Sequence, residues 1–300
     1  MSPSNSASLK AYLESSRTLV DAELERILPP GDEYPTSIHQ AMRHSVFAGG
    51  KRLRPILCLE SGRLFGGEDG KLVRLGSALE LIHTYSLIHD DLPALDNDDF
   101  RRGKPTCHKA FGEATAILAG DALLTLAFET ISGPGTATES QTLRVIHELA
   151  HAIGTLGGMV GGQVADMENT SATANAESLR YIHSAKTGAF IRMAVRAGAI
   201  YAGAAEVDLA RVTVYGDKIG LAFQIADDLL DVLGSSESLG KTAGKDDRQQ
   251  KATFPALHGV EESQRIAAQL VREACELLAP YGERSARLAE IARFLIARES

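Results

Sequence analysis

IGLAFQIADDLLDVL, residues 219–233, places Gln224, Asp227, Asp228 and Asp231 at i, i+3, i+4 and i+7. That spacing puts all four on one face of a helix. Phe223, Ile225, Ala226, Leu229 and Leu230 fall on the other side, so the segment reads as an amphipathic helix. A solvated acidic face is the ordinary reading of one such helix, but a solvated face normally mixes signs, and no cation interrupts this one. Working outward, the same helical spacing recurs nearly everywhere. It predicts helices over 6–28, 37–48, 71–91, 116–130, 143–164, 176–202, 208–232, 261–278 and 287–298. Alternating β-branched runs are absent, so no strand is expected. The chain reads as all-α, a single domain over 1–300 with about ten helices.

A second acidic block stands earlier, Asp90-Asp91-Leu92-Pro93-Ala94-Leu95-Asp96, at the end of the helix predicted over 71–91. Like charges this close repel, and near an apolar core ionised carboxylates are costly unless neutralised. Neither block contains Lys or Arg. A divalent cation with a hard-oxygen preference is the simplest neutraliser, and Mg²⁺ typically binds one or two carboxylates plus substrate phosphates. Asp90 and Asp96 fall on different faces of an ideal helix. Pro93 ends the helix near Asp91, and the turn that follows is expected to bring Asp96 back.

Cations border these blocks. Phe100-Arg101-Arg102-Gly103-Lys104-Pro105 follows the first directly, and Arg forks match phosphate geometry. Gly49-Gly50-Lys51-Arg52-Leu53-Arg54-Pro55 sets three cations at a Gly-rich helix start, a natural anion site. Lys186-Thr187-Gly188, Leu239-Gly240-Lys241-Thr242 and Lys251 are weaker signals of the same kind. His83 precedes Asp90 by seven residues, on roughly the same helix face. Gly154, Gly157, Gly158, Gly161 and Gly162 read as a stripe for close backbone or ligand approach.

Composition limits the rest. At 44% hydrophobic, 300 residues bury a large core. A net charge of −8 argues against a general nucleic-acid or anionic-membrane surface. Cys58, Cys107 and Cys275 are odd in number and scattered, which suits a reducing cytoplasm. The N-terminus shows no signal-peptide pattern, and no uniformly apolar run of about 20 residues predicts stable membrane insertion.

Together these residues resemble the trans-isoprenyl diphosphate synthases, most of all the bacterial farnesyl diphosphate type. The segments GGKRLRP, HTYSLIHDDLPALDNDDFRRGKPTCHKAFGEATAILAGDALL, GGQVADM, KTGAFIR, FQIADDLLDVLGSSESLGKTAGKD and KATFPAL occur in the family's order. The resemblance implies the isoprenoid synthase fold, a helical bundle around a central cavity, and usually a homodimer. It implies that Asp90, Asp91, Asp96, Asp227, Asp228 and Asp231 bind several Mg²⁺ ions, or Mn²⁺ in their place, bridging the allylic diphosphate. Arg101, Lys186, Thr187, Gln224 and Lys241 match allylic-side positions, and Lys186 joins the aspartates as a catalytic candidate. Lys51, Arg54, His83 and Arg102 match the isopentenyl diphosphate side, and Lys251 a further diphosphate lysine. Asn97, Phe100 and Phe254 depart from common family residues without removing a ligand.

The expected reaction is head-to-tail condensation of isopentenyl diphosphate with dimethylallyl or geranyl diphosphate to give (2E,6E)-farnesyl diphosphate. Geranylgeranyl or geranyl diphosphate synthesis is the alternative. A class I terpene cyclase is disfavoured, because its second motif carries Asn/Asp, Ser/Thr and Glu and it has no use for Lys51 and Arg54. A non-catalytic partner subunit is disfavoured because both aspartate motifs are intact. The resemblance names Tyr85 as the cavity floor, whereas ideal helix angles put Ser86 directly beneath Asp90.

Overall fold

The computed structural model describes residues 3–135, 137–169, 175–233 and 253–297. The expected all-α fold is observed. In chain order the helices are α1 Pro3–Ile27, α2 Thr36–Val46, α3 Leu53–Leu64, α4 Asp69–Asp90, α5 Cys107–Phe111, α6 Glu113–Ser132 and α7 Glu139–Ile153. They continue with α8 Met159–Glu168, α9 Ala176–Ile182, α10 Ala189–Tyr201, α11 Glu206–Leu233, α12 Phe254–His258, α13 Val260–Leu277 and α14 Ala286–Ile296. A π-helical turn, His183–Gly188, joins α9 to α10, and a 3₁₀ segment, Ala279–Ser285, precedes α14. Contacts divide the chain into two compact units, Met1–Leu59 with Glu68–Thr142, and Glu60–Gly67 with Leu143–Ser300.

In the first unit α4 is the central element, packed on α1, α2 and α6. Leu72, Leu75, Leu79, Leu81 and Ile82 are all buried, so α4 is apolar on more than one side, as a core helix is. Helix α6 is mostly apolar and, by length and composition alone, long enough to cross a membrane. It is not uniformly apolar, since Glu113, Asp121 and Glu129 interrupt it. Ala116, Ala119, Gly120, Leu123, Ala127 and Ile131 of α6 are buried within the unit, while Ile117 and Leu118 are exposed.

In the second unit α11 is central, packed on α10, α13, α14 and the π turn. Ile225 and Leu229 of α11 join Leu179, Phe254 and Ala267 in one buried apolar cluster. Tyr215, fully buried, donates its hydroxyl to Leu288 O at 2.8 Å, fixing α14 to α11.

Three expectations are corrected. The helix predicted over 143–164 is two helices, α7 and α8, broken at residues 154–158. Gly157 there takes φ 67°, a conformation only Gly adopts without strain. The helix predicted over 176–202 is interrupted by the π turn. A short antiparallel pair exists where no strand was expected, Phe100–Arg101 with Lys104–Pro105. Its two turn residues, Arg102 and Gly103, have φ 54° and 76°, the type I′ geometry that suits hairpin twist.

Candidate active site

The first aspartate block lies in the first unit. Helix α4 ends at Asp90, with Asp91 as its C-cap. Pro93 has no N–H to continue the ladder, and the chain folds back on the helix end. Asp96 N–H donates to Asp90 O at 2.8 Å, Asn97 N–H to Leu92 O at 3.1 Å and Asp98 N–H to Asp91 O at 3.2 Å. Asn97 takes φ 51° to make the turn, a region Asn tolerates better than most residues. Asp90 and Asp96 are thereby brought to one helix end.

The hairpin returns Arg101 to this turn. Arg101 Nε donates to both Asp91 oxygens at 2.8 Å, and Nη2 to Oδ1 at 2.5 Å. Asp91 is 3% exposed. Burial holds its carboxyl above the usual carboxylate range, against the opposing pull of Arg101. Arg102 turns the other way and donates to Gly49 O. Its guanidinium packs against Gly50, where a Cβ would come within 2.4 Å of Nη1. Lys104 Nζ donates to Phe47 O at 3.1 Å, and Pro105 O meets His44 Nε2 at 2.8 Å. The Gly49–Pro55 segment and the hairpin are therefore one assembly.

Of the cations in that segment, Arg52 is not available to a ligand, which corrects the expectation of three cations at the helix start. It points inward at φ 50°, 2% exposed. It bonds Asp21 at 2.7 Å, Glu80 at 2.8 Å and Val46 O at 2.7 Å. Lys51 is exposed, and Arg54 is half-buried in the first turn of α3. Burial, then Arg54, Arg102, Arg101 and Arg52, hold His83 well below the ordinary imidazole pKa. It is a neutral ring among cations.

Tyr85 is 8% exposed and meets His89 edge-on, with ring centroids 5.8 Å apart. Burial, then Asp90, pushes its hydroxyl up to about 12. His89 in turn reaches Ile117 O of α6 at 3.0 Å. It rests on Gly120, where a Cβ would come within 2.1 Å of its Nε2. Ser86 is half-buried, and its hydroxyl donates back to His83 O at 2.9 Å.

The second block lies in the second unit. On α11, Gln224, Asp227 and Asp228 are half-buried and Asp231 is exposed, while Ile225, Ala226 and Leu229 are buried. The amphipathic division follows the spacing, except that Phe223 and Leu230 are only half-buried. Asp228 Oδ2 accepts the Phe254 N–H at 2.8 Å and lies 3.5 Å from His183 Nε2. Burial lowers the His183 pKa to about 4.

Lys186 and Thr187 sit in the π turn, half-buried. Such turns concentrate at functional sites. Lys186 Nζ donates to Asp166 Oδ2 of α8 at 2.7 Å. Gly162 allows this approach, since a Cβ there would come within 2.2 Å of Lys186 N. The glycine stripe thus serves close backbone packing. Gly220 of α11 meets Gly188 in the same way, with 2.9 Å from a notional Cβ to Gly188 Cα.

Asp166 and His183 were not singled out by sequence reasoning. Asp166 and His183 lie beside quoted motifs, Asp166 inside GGQVADM and His183 three residues before Lys186. Lys241 and Lys251 lie outside the described residues. Among the described residues, no three His, Cys, Asp or Glu side chains stand where they would cage a metal ion. The six aspartates nonetheless offer hard oxygen donors alone, the chemistry of Mg²⁺.

Residues 35–286 match the polyprenyl synthetase family. The chain belongs to that family. It is a trans-prenyl diphosphate synthase and uses isoprenoid diphosphate substrates. The synthase is 48% identical to a dimethylallyltranstransferase of Fischerella ambigua (strain UTEX 1903), over 97% of this chain and 84% of that protein. It is 46% identical to a geranylgeranyl diphosphate synthase of Cyanophora paradoxa, over 97% of each. The crystal structure of an FPP/GFPP synthase from Zymomonas mobilis superimposes with a TM-score of 0.86. That match is 39% identical and covers 97% of this chain and 99% of the other.

Proposed function

We propose that the synthase condenses isopentenyl diphosphate with dimethylallyl or geranyl diphosphate, head to tail, and releases (2E,6E)-farnesyl diphosphate. The observation that carries the reading is chemical: each unit presents an aspartate block with a positioned cation nearby, Arg101 bonded to Asp91 in the first and, in the second, Lys186 held by Asp166 on the turn that packs against α11. Asp90, Asp91, Asp96, Asp227, Asp228 and Asp231 would hold Mg²⁺, or Mn²⁺ in its place. The diphosphate would supply the remaining oxygens, as is usual for Mg²⁺. When bound, the metal neutralises charge on the departing diphosphate.

Arg101, Lys186, Thr187 and Gln224 bind the allylic diphosphate in this reading, and Lys241 with Lys251 belongs to the same task. Lys51, Arg54 and Arg102 bind isopentenyl diphosphate, and neutral His83 keeps one N–H to donate. The C1–O bond of the allylic substrate breaks, the isopentenyl double bond attacks C1, and the proton then lost passes to the released diphosphate. Cations preset around the leaving group lower this barrier because they need no reorganisation. Arg54→Ala or Lys51→Ala is expected to raise the KM for isopentenyl diphosphate more than for geranyl diphosphate. Each lost charge-assisted contact is worth about 1.5–3 kcal/mol. Equal effects on both substrates in initial-rate kinetics would sink the assignment of this segment.

The C15 stop is assigned to Tyr85, buried five residues before Asp90 or about 7.5 Å along the helix. Its support is a ring braced by His89. Tyr85→Ala removes that ring, and a further isoprene unit then buries apolar area at about 25 cal/mol per Å². Chromatography of dephosphorylated products is expected to show C15 from the wild type and C20 or longer from the variant. Tyr85→Ala/Ser86→Ala should lengthen them at least as far. An active Tyr85→Ala enzyme that still stops at C15 places the floor elsewhere. A geranylgeranyl product is the second reading, favoured by the name of the Cyanophora relative. A wild type that already makes C20 decides for it.

A homodimer is part of the same proposal, supported by the outward Ile117 and Leu118 of the apolar α6. So is a reducing cytoplasm, supported by three unpaired cysteines.

A further inference from the structure

His183 has no part in the reaction as described, yet it occupies a junction of the second unit. It is 5% exposed. Its Nε2 stands 3.5 Å from Asp228 Oδ2, longer than an ordinary hydrogen bond. The same oxygen accepts the Phe254 N–H at 2.8 Å. The Phe254 ring, 1% exposed, stacks on the imidazole at 5.8 Å and an interplanar angle of 20°. His183 is also the first residue of the π turn that carries Lys186 and Thr187.

An apolar side chain would fill this core position at lower cost. His183 Nδ1 is buried with no hydrogen-bond partner among the described residues, and an unsatisfied buried polar atom is destabilising. A polar ring at such a position, with its other nitrogen 3.5 Å from a carboxylate oxygen, suits an orienting role. Outer partners of metal-binding side chains have this role generally, and their loss typically costs about 10- to 100-fold in metal affinity or activity.

We propose that His183 is a positioning residue. With the Phe254 N–H it fixes the Asp228 carboxylate through Oδ2, and with the Phe254 ring it ties that carboxylate to the turn carrying Lys186. The inference rests on the reading of the α11 aspartates as metal ligands, so its test separates the two. Mn²⁺ binding to the full chain is titrated by electron paramagnetic resonance with inorganic diphosphate present. Melting temperature, and kcat and KM for geranyl diphosphate, are followed alongside.

His183→Ala is expected to weaken Mn²⁺ binding about tenfold or more. His183→Gln, whose side chain is long enough for its amide N–H to reach the same oxygen, is expected to stay within about threefold of wild type. Phe254→Leu, which keeps the backbone N–H and loses the ring stack, should fall between them. If Asp227→Ala abolishes Mn²⁺ binding while His183→Ala keeps wild-type affinity, the positioning role is overturned, even with a lowered melting temperature. If Asp227→Ala leaves Mn²⁺ binding unchanged, the metal reading of α11 falls and takes this inference with it. Should His183→Ala fail to fold, wild-type affinity in Phe254→Leu overturns the proposal and weakened affinity supports it.

Discussion

Asp91→Ala and Asp228→Ala are each expected to lower kcat by at least about 100- to 1,000-fold, the usual loss when a preset electrostatic contact to the reacting charge is removed. Chelation of the wild type by EDTA is expected to abolish turnover, and added Mg²⁺ to restore it. Full activity in EDTA would refute the metal requirement. The two variants should part company in stability. Asp91 holds Arg101 through three short contacts at a site where both side chains are largely buried. Its loss leaves a desolvated guanidinium without its main partner, and truncating one member of a buried pair costs about 3–5 kcal/mol. Asp228 caps the Phe254 backbone N–H, and losing such a cap costs about 1 kcal/mol. Asp91→Ala should therefore melt well below Asp228→Ala while both lose turnover. If Asp228→Ala keeps turnover at full stability, α11 is not part of the catalytic apparatus.

The contrast between those two aspartates was not legible in the sequence, where both belong to blocks of like appearance. What the sequence carries is period and type. The run over 219–233 announces a helix with one acidic face, and α11 spans Glu206–Leu233 with that face half-buried or exposed. Pro93 announces the end of α4, and the chain does turn back there. What it does not carry is the partner. Arg101 and Arg102 are adjacent and alike, yet one bonds Asp91 and the other lies on Gly50. The cause is a hairpin turn with φ above zero at Arg102, a conformation that an arginine does not advertise. The π turn at His183–Gly188 likewise has no compositional mark. The close approach of Gly162 and Gly220 to it shows only in space. The glycines over 154–162 were visible, but their period does not tell a packing stripe from a helix break, and here they supply both.

Arg52 shows the same limit most clearly, and its replacement should have a large effect on stability. In GGKRLRP it reads as one more phosphate-binding cation. In the fold its side chain is 1% exposed, against 3% for Glu80 and 34% for Asp21, and it bonds both. Burial disfavours its charge, and Glu80 and then Asp21 restore it, leaving the guanidinium firmly protonated. Arg52→Ala strands Glu80 as a buried carboxylate with its chief cation gone and frees Val46 O from its donor. The expected loss is about 3–5 kcal/mol, read as a fall in the denaturant midpoint. Replacing both partners by apolar residues of similar volume removes the uncompensated charge, and such exchanges are often close to neutral. Arg52→Met/Glu80→Leu is therefore expected to recover at least about 2 kcal/mol relative to Arg52→Ala. KM for isopentenyl diphosphate in the double variant should stay near wild type, because Lys51, Arg54 and Arg102 remain. A KM that rises as steeply as in Arg54→Ala would return Arg52 to the substrate-binding set, and an Arg52→Ala protein as stable as wild type would remove it as a structural strut.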